Sequence, residues 1–359
     1  MRIVPRLPKS LRLPVVGLDI SDRTFKFVKF RKEKKRFSID FYGQGSIPDG
    51  VVVSGEIKDV EKLSYVLAQT LQSHLKKGPL PVAYSLPEER GFVRLVELPS
   101  VEEEEIKSVV RLQLEENFPL SPENTVFDYE ILRMAGGQKH MDLVISAFPR
   151  EIVESYMVSL QGAGLKPVIA ETESQALARA VVPSYERGSV MIVDIGYTRT
   201  SFFIAHRGIV RFTSTVNFSG QELIRSIMMA LGVDEKKAVR LKNEFSFFRE
   251  DQRKIYEAIT PSIDGLKDEL KKRLLFWETH ETEAPGHRNI TVVERIYLTG
   301  GESHMVGLPE YLASVLNVSV ERAQPWEGIF DLETYIPPIS AHDALLYATA
   351  FGLALRHEL

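Results

Sequence analysis

The sequence predicts a two-lobed α/β fold with duplicated mixed sheets, an inserted α+β subdomain and a helical subdomain. Three observations predict it. First, Val-Val-Gly-Leu-Asp-Ile-Ser at Val15–Ser21 recurs as Met-Ile-Val-Asp-Ile-Gly at Met191–Gly196. Each copy is an apolar run ending in Asp, then a turn and a returning strand, and a recurrence so widely spaced indicates two related halves, not a solenoid repeat. Second, strand, helix, strand, strand and helix follow one another between Pro87 and Leu165. Third, Gly220 to Glu283 reads as mostly helical. A chain of 359 residues has room for two domains or one bilobed domain at ~100–200 residues each.

Taken in order, Val15–Asp19 is a short apolar strand, and Thr24–Phe30 returns from a tight turn with Phe25, Phe27 and Phe30 between lysines. After Gly43–Gly55, the spacing of Val60, Leu63, Val66, Leu67, Thr70 and Leu71 predicts a helix, with Gly78-Pro79 beyond its end. Val82–Leu86 reads as a buried strand and Phe92–Leu98 as an alternating one. The next helix opens with Glu102 to Glu105, acids suited to the positive end of its dipole, and buries Ile106, Val109, Val110, Leu112 and Leu114. Phe127–Leu132 and Met141–Phe148 are strands joined through Gly136-Gly137, and Arg150–Leu160 is a helix stopped by Gly162-Ala163-Gly164. Val190–Asp194 and Thr200–Ala205 form the second hairpin. Ile255, Ile259, Ile263, Leu266, Leu270 and Leu274 make one apolar stripe, with the helix restarting at Pro261 because proline belongs in a first turn. Thr282–Ile290 is a polar loop, Val292–Leu298 a strand, Gly300-Gly301 a turn, and His342 to Leu355 a closing apolar helix.

Composition excludes several classes. The chain is 44% apolar and 26% charged, so a packed core is available. A net charge of −4 gives no blanket electrostatic reason to expect nucleic acid. The absence of cysteine removes disulfides, thiol nucleophiles and Cys-ligated metal sites. No apolar run approaches the ~18–20 residues of a membrane span. Residues 1–14 form a basic arm with Arg2, Arg6, Lys9 and Arg12 and without a signal-peptide core. The expectation is a soluble, cytoplasmic protein.

The chemistry lies in the two Asp-ended strands. A carboxylate at a strand end sits beside exposed backbone N–H groups that bind phosphate oxygens, and it can orient a magnesium ion or its waters. Two such hairpins facing each other would clamp a polyphosphate, with the Thr198 and Thr200 hydroxyls and the Lys26 ammonium as further donors. Gly300-Gly301 would let backbone approach a base or ribose. The histidines show no metal spacing, and Ser85 and Ser303 lack the glycine-flanked elbow of a hydrolase nucleophile. The run Lys32, Lys34, Lys35, Arg36 and Phe37 reads as a solvated hairpin tip.

The order Asp19…Lys26, Glu171…Arg179, Asp194-Ile-Gly, Leu298-Thr-Gly-Gly and an Ala-rich closing helix resembles the actin/hexokinase/heat-shock chaperone superfamily. The insertion resembles the FtsA/PilM branch. Finer matches to the PilM family of type IV pilus assembly are Leu98-Pro99, Glu116-Asn-Phe-Pro119, Phe127-Asp-Tyr129, Pro149-Arg-Glu151, Tyr156, Gly164-Leu-Lys-Pro167 and Gly352-Leu-Ala-Leu-Arg356. The resemblance implies an actin-like two-lobed fold: a first lobe of residues 15–86, 166–188 and 340–359, an inserted subdomain 87–165, a second lobe 189–218 and 290–339, and a helical part 219–289.

It also implies ATP (or ADP) with magnesium as ligand. Asp19, Ser21 and Lys26 fall on the first phosphate motif, Asp194, Gly196, Thr198 and Thr200 on the second, and Gly300 and Gly301 on the adenosine motif. Asp19 and Asp194 would hold magnesium through water. Glu171 and Glu173 fall on a connecting segment where an acid positions water, and Glu171 is the nominee for a catalytic base. Nucleotide binding is expected ahead of significant hydrolysis. The implied partner is the N-terminal cytoplasmic tail of a PilN-like inner-membrane protein, in a groove between the inserted subdomain and the first lobe. Arg90, Phe92, Arg94 and the Val109–Glu116 helix are candidates there by position. Other pilus or secretion assembly proteins and self-association stay open, and membrane contact would be indirect, at the inner membrane.

The sequence departs from the family pattern at Ser21-Asp22-Arg23, where glycine and small residues are usual, and at Glu302. An inward Asp22 would place negative charge near phosphate, and Arg23 would offset it by pairing with Asp22 or the phosphate. Alternatives are an active ATPase or sugar-type kinase, an FtsA-like cell-division tether, or the cytoplasmic domain of a type II secretion L protein.

Overall fold

A computed structural model describes residues 15–33, 36–75, 78–134, 140–283 and 292–356. The first half carries β1 (Val16–Ile20), β2 (Thr24–Glu33), β3 (Arg36–Ser46), the two-residue strands β4 (Val52–Val53) and β5 (Glu56–Ile57), α1 (Val60–Leu75) and β6 (Leu80–Leu86). The insertion follows with β7 (Phe92–Pro99), α2 (Glu103–Asn117), β8 (Thr125–Met134) and β9 (His140–Pro149). Then come α3 (Arg150–Gly162), β10 (Leu165–Thr172) and α4 (Glu173–Val181). The second half carries β11 (Ser189–Ile195), β12 (Thr200–His206), β13 (Ile209–Val216), α5 (Gly220–Leu231), α6 (Glu235–Asn243), α7 (Arg253–Glu283), β14 (Val293–Thr299), α8 (Leu308–Leu316) and β15 (Ser319–Arg322). Two short helices, α9 (Ala341–Ala344) and α10 (Ala348–Ala354), end the chain that is described.

The duplication is visible in topology. The first sheet runs β10-β6-β1-β2-β3 and the second β13-β12-β11-β14-β15. Each is an antiparallel three-strand meander extended by two strands parallel to its first one. Parallel neighbours need a crossover, and α3 supplies it between β6 and β10.

Strand parity then sets the layers, because successive side chains point to opposite faces. Val16, Leu18 and Ile20 pack outward with α1 and α3, while Met191, Val193 and Ile195 pack outward with α5, α7 and α8. Val190 and Ile192 face inward, onto α4 and α10, which lie between the two sheets. Gly17 also faces this inner layer, where an added Cβ would fall 2.0 Å from the Ala350 carbonyl oxygen, and a Cβ on Gly352 would fall 1.7 Å from that of Ala176. Here helix backbone touches strand and helix backbone directly. Asp19 and Asp194 share the inward parity, one residue before each strand's end.

The inserted subdomain has its own core of β7-β9-β8 and α2, around Leu98, Ile106, Val110, Leu114, Leu143 and Ile145. Helix α3, which the sequence places in the insertion, instead buries Ile152, Val153, Tyr156 and Leu160 in the core of the first lobe. On α2, Leu112 is 64% exposed rather than buried, since it lies two residues, or ~200°, from both Val110 and Leu114. The helix does not restart at Pro261: α7 passes through it unbroken. An interior proline costs ~3 kcal/mol. The ring is exposed, and Ile255, Ile259, Ile263, Leu266 and Leu270 stay buried in one register at ~1.5–3 kcal/mol each, which outweighs that cost. The closing helix is two short helices around a 3₁₀ turn at Leu345–Tyr347. Thr282 and Glu283 still belong to α7, and the rest of the expected polar loop lies outside the described residues. The basic arm, Lys34, Lys35 and the Gly136-Gly137 connection lie outside them too.

Candidate functional site

The two sheets enclose a cleft of about 770 Å³ at the ends of β1 and β11. Asp19, Ser21, Lys26, Glu173, Asp194, Gly196, Thr198, Gly300 and Gly301 all line it. Thr200 and Glu171 do not. Thr200 is fully buried and donates its hydroxyl to the Phe218 carbonyl at 2.8 Å, fastening the hairpin to the segment before α5. Glu171 is held by a guanidinium fork: Arg179 Nη1 donates to Oε2 at 2.7 Å, Nη2 pairs with Oε1, and Arg356 Nε lies 3.3 Å away. Arg179 also donates to the Gly352 carbonyl at 2.8 Å. This carboxylate ties β10, α4 and the chain end together; it does not face the cleft, and the base role expected for it has no geometric support.

The first turn closes without glycine. Ser21 donates both its backbone N–H and its hydroxyl to the Thr24 carbonyl, at 2.9 and 2.8 Å. Ser21 carries no positive φ, so serine is unstrained there. Asp19 stands opposite Lys26 in the β1–β2 register and accepts the Ser85 hydroxyl at 2.9 Å. Lys26 donates to the Thr24 hydroxyl at 3.1 Å. Asp22 accepts the Gly55 N–H at 2.9 Å, and Arg23 pairs with Asp49, not with Asp22, one of the two partners the sequence suggested for it. The backbone of Gly55 and the more exposed Asp49 provide the nearer partners.

The second turn is pinned by Gly196 N–H donating to the Arg199 carbonyl at 2.9 Å, and by Gly220 and Gln221 N–H donating to the Gly196 and Tyr197 carbonyls. Gly300 sits at φ +82°, and a Cβ there would lie 2.4 Å from Asp194 Oδ1 and 2.5 Å from the Ile195 carbonyl oxygen. Only glycine lets this turn close over the second strand end. Glu302, which lines the cleft, is held by Lys242 of α6, whose Nζ donates to Oε1 at 2.6 Å, binding the helical part to the sheet.

The cleft is acidic. Asp19, Asp22, Asp49, Glu173, Asp194, Glu235 and Glu302 line it, against Arg23, Lys26 and Arg199. Burial and the neighbouring Asp19 carboxylate push Asp194 up to about 6, although Arg199 and Lys26 oppose the shift. Burial pushes Glu173 well above its ordinary range, with Asp19, Asp194 and Glu89 adding to it. Thr299, fully buried, lines the cleft with a hydroxyl that has no hydrogen-bond partner. Among the described residues no group of three or more carboxylates or histidines is set to cage a metal directly.

Sequence reasoning missed Arg199. Its guanidinium crosses from the second lobe to two acids of the first, Glu173 at 3.6 Å and Asp22 at 3.9 Å, and to Glu89 at the start of the insertion, at 2.8 Å. These acids hold it protonated far above its ordinary range, against the opposing effect of burial. The available signal was a bulky cation between two threonines of the second turn, but nothing local names Glu89, 110 positions away, as its partner.

Comparison with known proteins points in one direction. The family model described as type IV pilus assembly protein PilM matches residues 17–358. The chain is similar to the solved PilM–PilN type IV pilus biogenesis complex: 23% identity, TM-score 0.80, covering 96% of this chain and 99% of that one. It is also similar in fold to ethanolamine utilization protein EutJ from Carboxydothermus hydrogenoformans (17% identity, TM-score 0.55, 98% and 92% coverage). A third match is MreB5 of Spiroplasma citri bound to ADP, with 13% identity, TM-score 0.56, and 96% and 95% coverage.

Proposed function

Since the chain belongs to the type IV pilus assembly protein PilM family, we propose that it is a cytoplasmic actin-like scaffold that binds ATP–magnesium and recruits the N-terminal tail of a PilN-like inner-membrane protein. The observation that carries the reading is the convergence of two Asp-ended turns, one from each lobe, on a single cleft closed by Gly300. The residues fit the ligand. The buried Thr299 hydroxyl lacks a protein partner, and the excess of carboxylates would repel bare polyphosphate but suits a nucleotide delivered with a divalent cation. Magnesium keeps several waters and is bound through few carboxylates plus phosphates, which agrees with Asp19 and Asp194 acting through water. The cation would neutralise phosphate charge; the chain's own part is to position it.

Binding, not turnover, is the role assigned. Hydrolysis needs a group that positions the attacking water; of the two acids on the connecting segment, Glu171 is committed to Arg179 and Arg356, and Glu173, which lines the cleft, is paired with Arg199. The partner reading is supported by the solved relative, which is a complex of PilM with PilN. An extended tail docking beside a strand obtains affinity from main-chain hydrogen bonds and specificity from alternate pockets. Attachment at the inner membrane would run through the partner; among the described residues no helix is long and apolar enough to cross a membrane. The test is retention of labelled ATP: Asp194→Ala should abolish it, and unchanged retention would refute the site. A synthetic PilN-like tail peptide should bind the purified protein; no binding with or without nucleotide would remove the scaffold reading.

A further inference from the structure

Glu89 belongs to the single 3₁₀ turn Glu88–Arg90 that joins β6 to β7, the covalent root of the inserted subdomain. Arg199, in the second phosphate turn, reaches it at 2.8 Å, and both side chains are mostly buried, at 16% and 14% exposure. Neither Glu89 oxygen has a hydrogen-bond partner, so the ion pair with Arg199 is what compensates this carboxylate. The first phosphate turn reaches the same root from the other side. Asp22 accepts from Gly55, whose carbonyl accepts the Tyr156 hydroxyl at 3.0 Å, while Arg90 Nε donates to the Ser54 carbonyl at 2.8 Å. Both turns that would hold phosphate therefore grip the point where the insertion begins.

We propose that Arg199 reads the terminal phosphate of a nucleoside triphosphate, exchanging its ion pair with Glu89 for that phosphate and thereby releasing the root of the inserted subdomain. The inference rests on the nucleotide reading above. A guanidinium pairs bidentately with phosphate oxygens, and a terminal phosphate offers more charge than one carboxylate. Arg199 lines the cleft directly, whereas Glu89 stands behind it. A buried carboxylate stripped of its closest cation is costly, the weaker attraction of Arg90 notwithstanding, so Glu89 leaves its position and carries the start of β7 with it. A diphosphate lacks the group that completes the exchange. Coupling of this kind is reciprocal: a partner that prefers the released insertion tightens triphosphate binding.

The experiment compares Mg–ATP and Mg–ADP binding by calorimetry to the full chain, its Arg199→Lys and Glu89→Gln variants, with amide hydrogen exchange across β7. Lysine keeps the charge but loses the fork. ATP affinity should fall about tenfold in Arg199→Lys with ADP affinity changed less than threefold, and should rise severalfold in Glu89→Gln, where the competing carboxylate is gone. Exchange in β7 should quicken with ATP in the wild type and be fast without nucleotide in Glu89→Gln. Equal losses for ATP and ADP, or β7 exchange indifferent to ATP, would overturn the inference while leaving nucleotide binding intact. Wild-type protein that binds neither nucleotide would overturn both readings. If Arg199→Lys does not fold, Glu89→Gln and the wild-type exchange data still decide.

Discussion

Glu88 offers the sharpest test of the electrostatics at the root of the insertion. Its carboxyl is buried, accepts the Ser174 N–H at 3.1 Å and meets the Thr213 hydroxyl of β13. Burial pushes it from 4.5 up to about 7, with the Ser174 and Thr213 hydrogen bonds opposing the shift. The sign follows from proton counting. Between those two values the folded chain keeps a proton that the unfolded chain has released, so stability falls as pH rises from about 4.5 to about 7. The separation of about 2.5 pH units, at ~1.36 kcal/mol each, sets a loss of ~3 kcal/mol at pH 8. Glu88→Gln keeps an acceptor for Ser174 and cannot ionise. It should match the wild type to within ~1 kcal/mol at pH 5 and be more stable by ~2–3 kcal/mol at pH 8. Urea unfolding at the two pH values measures the difference. A gap that does not widen with pH, or a glutamine variant less stable at pH 8, would refute the reasoning.

Two further substitutions separate structure from binding. Gly300→Ala forces a side chain into φ +82° and against Asp194, so it should lower stability by ~2 kcal/mol or more and weaken ATP binding at least tenfold, read by unfolding and calorimetry. Glu171→Gln leaves Arg179 at 10% exposure without its anion; unfolding should show a loss of ~3 kcal/mol while ATP affinity holds within twofold. Unchanged stability with a lost ATPase activity would instead restore Glu171 as a base.

What the sequence made legible follows from how local each signal is. The strands β1 and β11 announce themselves because both faces are buried and the run is continuous, and the Asp at each end is then placed by parity alone. Strand β3 gave little signal, since only half-buried and exposed residues alternate along it. The exposed Leu112 and the unbroken passage through Pro261 went the other way, because composition suggests burial or a break and only tertiary register decides. In the cleft, the turn residues were readable from spacing. Thr200 was misplaced because neighbouring positions on a strand point to opposite sides, and Glu171 because β10 gives way to α4 at Thr172, so that Glu173 meets the cleft instead. The Arg199–Glu89 pair has no sequence signature at all: it exists only once two lobes have closed on each other.

The contacts of Gly17 with Ala350 and of Gly352 with Ala176 leave no side chain between the layers to slip past another. Sliding of α10 along β1 or along α4 is therefore blocked by peptide groups pressed into peptide groups. All three elements belong to the first lobe, so that lobe's share of the layer between the sheets moves as one rigid body.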